Sequence, residues 1–193
     1  MKLSKELILG SKSPRRSQFL KELGLEFTTI SIDVNEDAPE DLGPEETAAF
    51  VSNLKAKTLA PLLQEGQLGL TSDTEVWHEG VRFGKAHSLE DARRMLNKLS
   101  GNKHQVVSCF TLLSNKEIIE KHVSVVDVRF AQIPQWAIDH YIANYKPFDK
   151  AGAYGIQEWI GLAFIEEISG NYNSVVGLDT AALTRALAPY IVS

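Results

Sequence analysis

The stretch Ile8-Leu9-Gly10-Ser11-Lys12-Ser13-Pro14-Arg15-Arg16 decides how the chain is read. A short apolar strand enters a turn rich in hydroxyls and cations, and a helix begins directly after it. Ser13 suits the N-cap and Pro14 the first helical position, where its missing N–H is not needed. Such a helix start presents free backbone N–H groups and the positive end of a macrodipole, with Lys12, Arg15 and Arg16 beside them. That combination suits an anion, most readily a phosphate chain. An ordinary strand-to-helix turn with surface cations has the same residues, and from this stretch alone the two readings weigh equally.

Working outward, Phe19, Leu20 and Leu23 share one helical face, and Gly24 can end that helix. Ile30, Ile32 and Val34 alternate as in a half-buried strand, before the acidic stretch Asp33-Val34-Asn35-Glu36-Asp37 and a loop broken by Pro39 and Gly43. Pro44-Glu45-Glu46 opens a second helix with acids in its first turn. It turns Ala48, Val51, Leu54 and Leu59 inward, and Pro61 ends or kinks it. Leu68 to Trp77 reads as a strand, His78-Glu79-Gly80 as a turn and Val81-Arg82-Phe83 as its hairpin partner. Ser88-Leu89-Glu90-Asp91 begins the clearest helix, with Leu89, Ala92, Met95, Leu96 and Leu99 inward and Gly101 as its stop.

Val106 to Leu113 and Ile118 to Phe130 form a long hairpin across Ser114-Asn115-Lys116. Pro134 starts a helix carrying Trp136, Ile138, Tyr141 and Ile142. Beyond the loop Lys146 to Gln157, Ile160 to Ile168 reads as a strand, Gly170 to Asn173 as a turn and Thr180 to Leu187 as the last helix. Strands and helices alternate first and paired strands follow, so the class is α/β with a mixed sheet. No repeat or linker divides the chain, and residues 1–193 are expected to form one domain.

The composition narrows the function. The chain has 193 residues, 44% hydrophobic and 23% charged, as in an ordinary globular protein. A net charge of −5 argues against a nucleic-acid polymer as partner and makes the Lys12/Arg15/Arg16 cluster a local anion site. The single cysteine, Cys109, lies in an apolar run, suits core packing and points to a reducing cytoplasm. No apolar run reaches the length of a membrane span, and the N-terminus has no signal-peptide pattern. The chain also lacks G-x-x-x-x-G-K-[ST], H-E-x-x-H, C-x-x-C and G-x-S-x-G. Its histidines, His78, His87, His104, His122 and His140, have no metal-ligand spacing.

Asp73 is the second informative residue. It interrupts the apolar strand Leu70-Thr71-Ser72-Asp73-Thr74-Glu75-Val76, where an unpaired charge is costly to bury. The short neighbours Ser72 and Thr74 leave room for a ligand. A carboxylate there activates water, holds a divalent metal that does so, or simply caps a strand end. Lys85 after Gly84, Glu36 in its acidic loop and Lys55 on its helix read alone as solvated charges. In the loop Asp149 to Gln157, two glycines permit close backbone approach to a ligand. The Gln157 amide there has the donor and acceptor to match the N3–H and carbonyl of uracil or thymine, or to satisfy neighbouring backbone.

In this order, several segments resemble the Maf family of nucleoside triphosphate pyrophosphatases. They are Ser11-Lys12-Ser13-Pro14-Arg15-Arg16, Asp33-x-x-Glu36, Lys55-Ala56, Ser72-Asp73-Thr74, Gly84-Lys85 and Leu99-Ser100-Gly101-x-x-His104-x-Val106. The later ones are Asp149-Lys150-Ala151-Gly152-Ala153-Tyr154-Gly155-Ile156-Gln157 and Val175-Val176-Gly177-Leu178. The resemblance implies an elongated α/β fold related to inosine triphosphatases, with a mixed sheet, flanking helices and two lobes around a central cleft. It implies hydrolysis of a nucleoside triphosphate to monophosphate and pyrophosphate, assisted by Mg²⁺ or Mn²⁺. By the same resemblance Asp73 is the proton acceptor, and Ser11, Arg15, Arg16, Glu36, Lys55 and Lys85 line the triphosphate and metal site. Within that site Glu36 and Asp73 are expected to hold the metal. Ser11, Ser13, Arg16, Lys55 and Lys85 bind phosphate, while Arg15, Thr74 and Gln157 select dTTP and UTP. A homodimer is the family's expectation.

Competing readings are a nucleotide-binding regulator of division or septum formation without turnover, and a pyrophosphatase for ITP or 7-methyl-GTP. Three positions depart from the family pattern. Ala86 follows Lys85 where proline is usual, Ser72 precedes Asp73 where alanine is usual, and Glu158-Trp159 follow Gln157 where a small residue is usual. The first would loosen the hold on Lys85, and the third borders the base site that the resemblance implies.

Overall fold

The computed structural model describes residues 1–192. In chain order the elements are β1 (Lys2–Leu3), β2 (Glu6–Gly10), α1 (Pro14–Glu22), β3 (Phe27–Ile30), α2 (Pro44–Leu59), β4 (Gln67–His78), β5 (Val81–Phe83) and α3 (Leu89–Leu99). They continue with β6 (Lys103–Ser114), β7 (Glu117–Phe130), α4 (Gln135–Tyr145), α5 (Trp159–Phe164), β8 (Ile165–Ser169), α6 (Tyr172–Val176), α7 (Thr180–Leu187) and β9 (Ile191–Val192). The main sheet has the order β3-β2-β4-β6-β7-β8, with β5 paired to β4, and β1 and β9 form a separate pair. Because β2 is parallel to β3 and β4 while β4–β5 and β7–β8 are antiparallel, the sheet is mixed and the class α/β, as expected. No helix among the described residues is long and apolar enough to cross a membrane.

The chain divides into two compact units. The first comprises Met1–Asp73, Ser108–Ser124 and the chain from Gly177 onward, and the second Thr74–Val107 and Val125–Val176. In the first unit β2 is covered on both faces, as a central parallel strand should be. Leu7 and Leu9 pack with Leu20, Leu68, Leu70, Phe110 and Leu183, while Ile8 packs with Ala56, Leu59, Leu63 and Leu113. Two glycines let the end of α2 press onto the sheet: a Cβ at Gly10 would lie 2.9 Å from Leu59 Cδ2, and one at Gly69 3.1 Å from the same atom. Cys109 is buried, and burial pushes its thiol up to about 11, so it packs as a small hydrophobe.

In the second unit α3, α4 and α5 contribute Ala92, Leu96, Leu99, Ile138, Tyr141, Ile142 and Ile160 to a core with Val106, Val126, Val128 and Phe130. Ser88 caps α3 through its side chain, which accepts from the Asp91 N–H. The β6–β7 turn falls where expected, with Asn115 and Lys116 both at positive φ, as a two-residue hairpin loop requires.

Five expectations need correction. The strand read across Ile30, Ile32 and Val34 ends at Ile30, because its parallel partner β2 runs out at Gly10, the residue opposite Ile30. Leu54 is only half-buried and Leu89 is exposed; Leu89, the first residue of α3, points outward while Ala92, Met95 and Leu96 fill the core. Ile160 to Ile168 is not one strand: Trp159–Phe164 is helical and only Ile165–Ser169 is extended. A continuous apolar run has no period that separates helix from strand, and the Glu158 carbonyl, which accepts from the Gly161 and Leu162 N–H groups, starts the helix. The turn at Gly170 to Asn173 passes directly into α6. Ser13 stands at the N-cap of α1 but its side chain makes no cap bond; its own N–H donates to Ser11 Oγ at 3.1 Å.

Candidate active site

In the first unit the turn after β2 folds back on itself. Ser11 is buried, and its hydroxyl accepts from the Ser13 N–H and from Arg16 Nη1, the latter at 3.3 Å. Arg16 also donates through Nε to the Gly177 carbonyl at 3.0 Å, and Ser72 Oγ donates to the same carbonyl at 3.2 Å. Gly177 has φ +137°, a conformation open to glycine and unfavourable for other residues. Burial lowers the Arg16 pKa from its usual value; the carboxylate of Asp73 opposes this, the charge of Arg15 adds to it, and Glu36 opposes it more weakly. Lys12 faces outward and pairs with exposed Asp33 at 3.4 Å.

At the centre lie Glu36, Lys55 and Asp73. Lys55 Nζ is 2.7 Å from Glu36 Oε1 and 2.7 Å from Asp73 Oδ1. Asp73 is only 5% exposed, so the Lys55 ammonium offsets a charge that would otherwise be costly to bury. Lys55 projects from α2, Asp73 ends the first unit's portion of β4, and Glu36 comes from the irregular segment after β3. The helix register of α2 is held from below, where Thr71 Oγ1 donates to the Ser52 carbonyl at 3.1 Å and Ser52 Oγ lies 2.9 Å from Thr111 Oγ1. Five of the expected residues, Ser11, Arg16, Glu36, Lys55 and Asp73, therefore belong to one electrostatic cluster. Ser13 joins it through its backbone, and Arg15 through its charge on Arg16.

The remaining three expected residues, Thr74, Lys85 and Gln157, lie in the second unit. Lys85 is exposed, but its backbone forms an antiparallel bridge with Ala151, and the Gly152 N–H donates to the Phe83 and Gly84 carbonyls at 3.1 and 3.0 Å. Ala86 is buried among apolar residues, so the segment around Lys85 is held without the family's usual proline. Gly152 and Ala153 both have positive φ, and a Cβ at Gly152 would lie 3.0 Å from Val76 Cγ1, so the loop is drawn tightly onto β4. Gln157, by contrast, is exposed.

Sequence reading missed the carbonyl of Gly177, 161 residues from Arg16, and the polar group Tyr141–Lys150–Glu158 described below. The only hint of the latter was Glu158 itself, an acid where a small residue is usual. Among the described residues no three or more His, Cys, Asp or Glu side chains form a metal-holding group.

Fold and site together define an α/β protein with a mixed sheet and a charged centre in which buried Asp73 is grouped with partly exposed Glu36, Lys55 and Arg16. The chain belongs to the Maf-like protein family, which it matches over residues 6–190. A dTTP/UTP pyrophosphatase of Flavobacterium johnsoniae is 40% identical to it over 186 residues, covering 96% of this chain and 95% of that relative. A dTTP/UTP pyrophosphatase of Flavobacterium psychrophilum is 42% identical over 177 residues, covering 91% and 89%. Among solved structures, a HAM1 protein from Coxiella burnetii covers 67% of this chain and 75% of its own at 17% identity and TM-score 0.43, a likeness too low to carry an argument.

Proposed function

We propose that the chain is a nucleoside triphosphate pyrophosphatase that hydrolyses dTTP and UTP to the monophosphate and pyrophosphate. The observation that carries the chemistry is the convergence of Glu36 and buried Asp73 on Lys55 Nζ, 2.7 Å from each. An Asp73 oxygen takes a proton from the water that attacks the α-phosphorus. The bond to the bridging oxygen breaks and pyrophosphate leaves. Lys55 and Lys85 offset charge growing on the phosphate oxygens, and Ser11, Ser13 and Arg16 hold the chain of phosphates. Arg15, Thr74 and Gln157 select the base, with the Gln157 amide reading the N3–O4 edge; substitution at C5 leaves that edge intact, so modified uridines also fit.

Glu36 and Asp73 would hold Mg²⁺ or Mn²⁺. Both offer the hard oxygen donors these ions take, and two carboxylates completed by substrate phosphates is a usual Mg²⁺ set. When bound, the ion supplies charge neutralisation on the phosphates and a more acidic water. The proposal extends to the whole chain acting as one catalytic domain, to a homodimer and to a reducing cytoplasm, which suits the lone buried Cys109.

The test is pyrophosphate release across dTTP, UTP, ITP and 7-methyl-GTP with Mg²⁺ or Mn²⁺, run beside Asp73→Asn. dTTP and UTP are expected to be the best substrates, and the variant to fold but lose about 10²–10⁴-fold in rate, the usual worth of a general base. A best substrate of ITP or 7-methyl-GTP, binding of every nucleotide without release, or near-normal turnover by Asp73→Asn each refutes it.

A further inference from the structure

The segment that presents Gln157 is anchored by a partly buried polar group that the reaction itself does not use. Glu158 Oε1 lies 3.1 Å from Lys150 Nζ, which also donates to Asp149 Oδ1 at 2.7 Å. Tyr141, fully buried in α4, donates through its hydroxyl to Glu158 Oε2 and accepts the Gly155 N–H at 3.0 Å. The Glu158 N–H in turn donates to the Gly155 carbonyl at 3.0 Å. The carboxylate fills the space beside Gly155, where a Cβ would lie 2.8 Å from Glu158 Cδ. On the other side, Gly161 of α5 sits so close to Ile156 that a Cβ would fall 1.9 Å from its carbonyl oxygen. Residues 155, 156 and 158 are thus all fixed, and exposed Gln157 lies between them.

We infer that Glu158, with Tyr141 and Lys150, is a positioning residue for base selection: it clamps the loop so that the Gln157 amide is presented in one place. This inference rests on the proposed dTTP/UTP reading, in which Gln157 meets the base. A glutamine on a mobile loop would lose rotamer and backbone freedom on binding; on a clamped loop that loss is already met in folding. Tyr141 is suited to the task because burial, reinforced by Glu158, raises its pKa and keeps its proton in place to donate. Lys150, nearly buried, has Asp149 and Glu158 as its carboxylate partners and so ties the start of the loop to its end. The acid at 158 thus takes up the room beside Gly155 and contributes bonds that a small residue there has no atoms to make.

Two measurements test this on the full chain. The first is amide hydrogen exchange at residues 155–157, which needs no substrate: Glu158→Ala and Tyr141→Phe are expected to exchange faster than wild type. The second is steady-state pyrophosphate release with dTTP and UTP. Glu158→Ala should raise KM about tenfold, with kcat changed by less than about twofold, the pattern of lost uniform binding. Glu158→Gln, which keeps an acceptor for Tyr141 but not the ion pair, should fall between it and wild type. In a Gln157→Ala background the same Glu158 substitutions should leave KM unchanged, whereas a merely structural role would lower activity in either background.

Exchange equal to wild type in both variants overturns the clamp. Faster exchange with unchanged KM, or KM effects that persist without Gln157, overturns the positioning role. Should wild type release no pyrophosphate from dTTP or UTP, the functional reading fails instead, while exchange still reports on the clamp. If Glu158→Ala does not fold, Glu158→Gln and Tyr141→Phe give the same contrasts.

Discussion

Acid should weaken this protein through His104. The ring is buried, stacks on Phe130 at 5.5 Å between centroids, and shares a 2.7 Å hydrogen bond between Nε2 and the Tyr154 hydroxyl. Burial pushes its pKa down from 6.5 to about 3, with a lesser contribution from His78. In the unfolded chain the ring takes up a proton near pH 6.5, and in the folded chain only near pH 3. Between those values the unfolded state binds more protons, so stability rises with pH and is lost as pH falls below about 6.5. At about 1.4 kcal/mol per pH unit, the loss is about 2 kcal/mol at pH 5 and approaches about 5 kcal/mol near pH 3.

Urea unfolding at pH 7.5 and pH 5 measures this effect, with His104→Gln as the comparison. Glutamine can still meet the Tyr154 hydroxyl but does not titrate. Wild type should lose about 2 kcal/mol more than the variant over that interval. The difference between the two removes the contributions of Asp91, Asp139 and Asp179, whose pKa values are also held low in the folded state. An equal pH dependence in both proteins, or a His104 ring that titrates near pH 6 in the folded protein by NMR, refutes the reasoning.

Two further outcomes follow from close contacts elsewhere. Gly161→Ala would set a Cβ 1.9 Å from the Ile156 carbonyl oxygen and should destabilise by about 3 kcal/mol or more; a melting temperature within about 2 °C of wild type would contradict that. Arg82 pairs with buried Glu75 through Nε and Nη2, each 2.6 Å from a carboxylate oxygen. Removing the arginine alone should cost about 3 kcal/mol in urea unfolding, while replacing both residues by methionine should recover most of it. Equal losses in the single and double variants would show that the buried charge is not the cause.

Local chemistry made much of this chain legible. The Pro14 start of α1, the capped start of α3 at Ser88, the two-residue turn at Asn115-Lys116 and the span Thr180–Leu187 of α7 all depend on neighbours a few residues apart. Leu89 failed because a helix's first residue need not share the face its later turns bury, and Ile160 to Ile168 failed because a continuous apolar run carries no period. The strand through Ile32 failed for a different reason: β3 lasts only as long as β2 offers a partner.

The sequence by itself determined the α/β alternation and Asp73 as a charge that a β-strand must justify, and it offered the turn Ser11–Arg16 as one place where an anion is expected. Its family resemblance added which residues are expected to act together. Tertiary structure alone decided how their charges are balanced. Lys55 reaches Asp73 across 18 residues, and Arg16 reaches the Gly177 carbonyl across 161, through separations on which local pattern is silent. It also decided that Glu158, a departure from pattern on paper, is a bonded partner of Tyr141 and Lys150. The physical reason is common to all three. Helix and strand periods report which way a side chain points, but a buried charge is offset only by the groups that folding brings within about 3 Å of it.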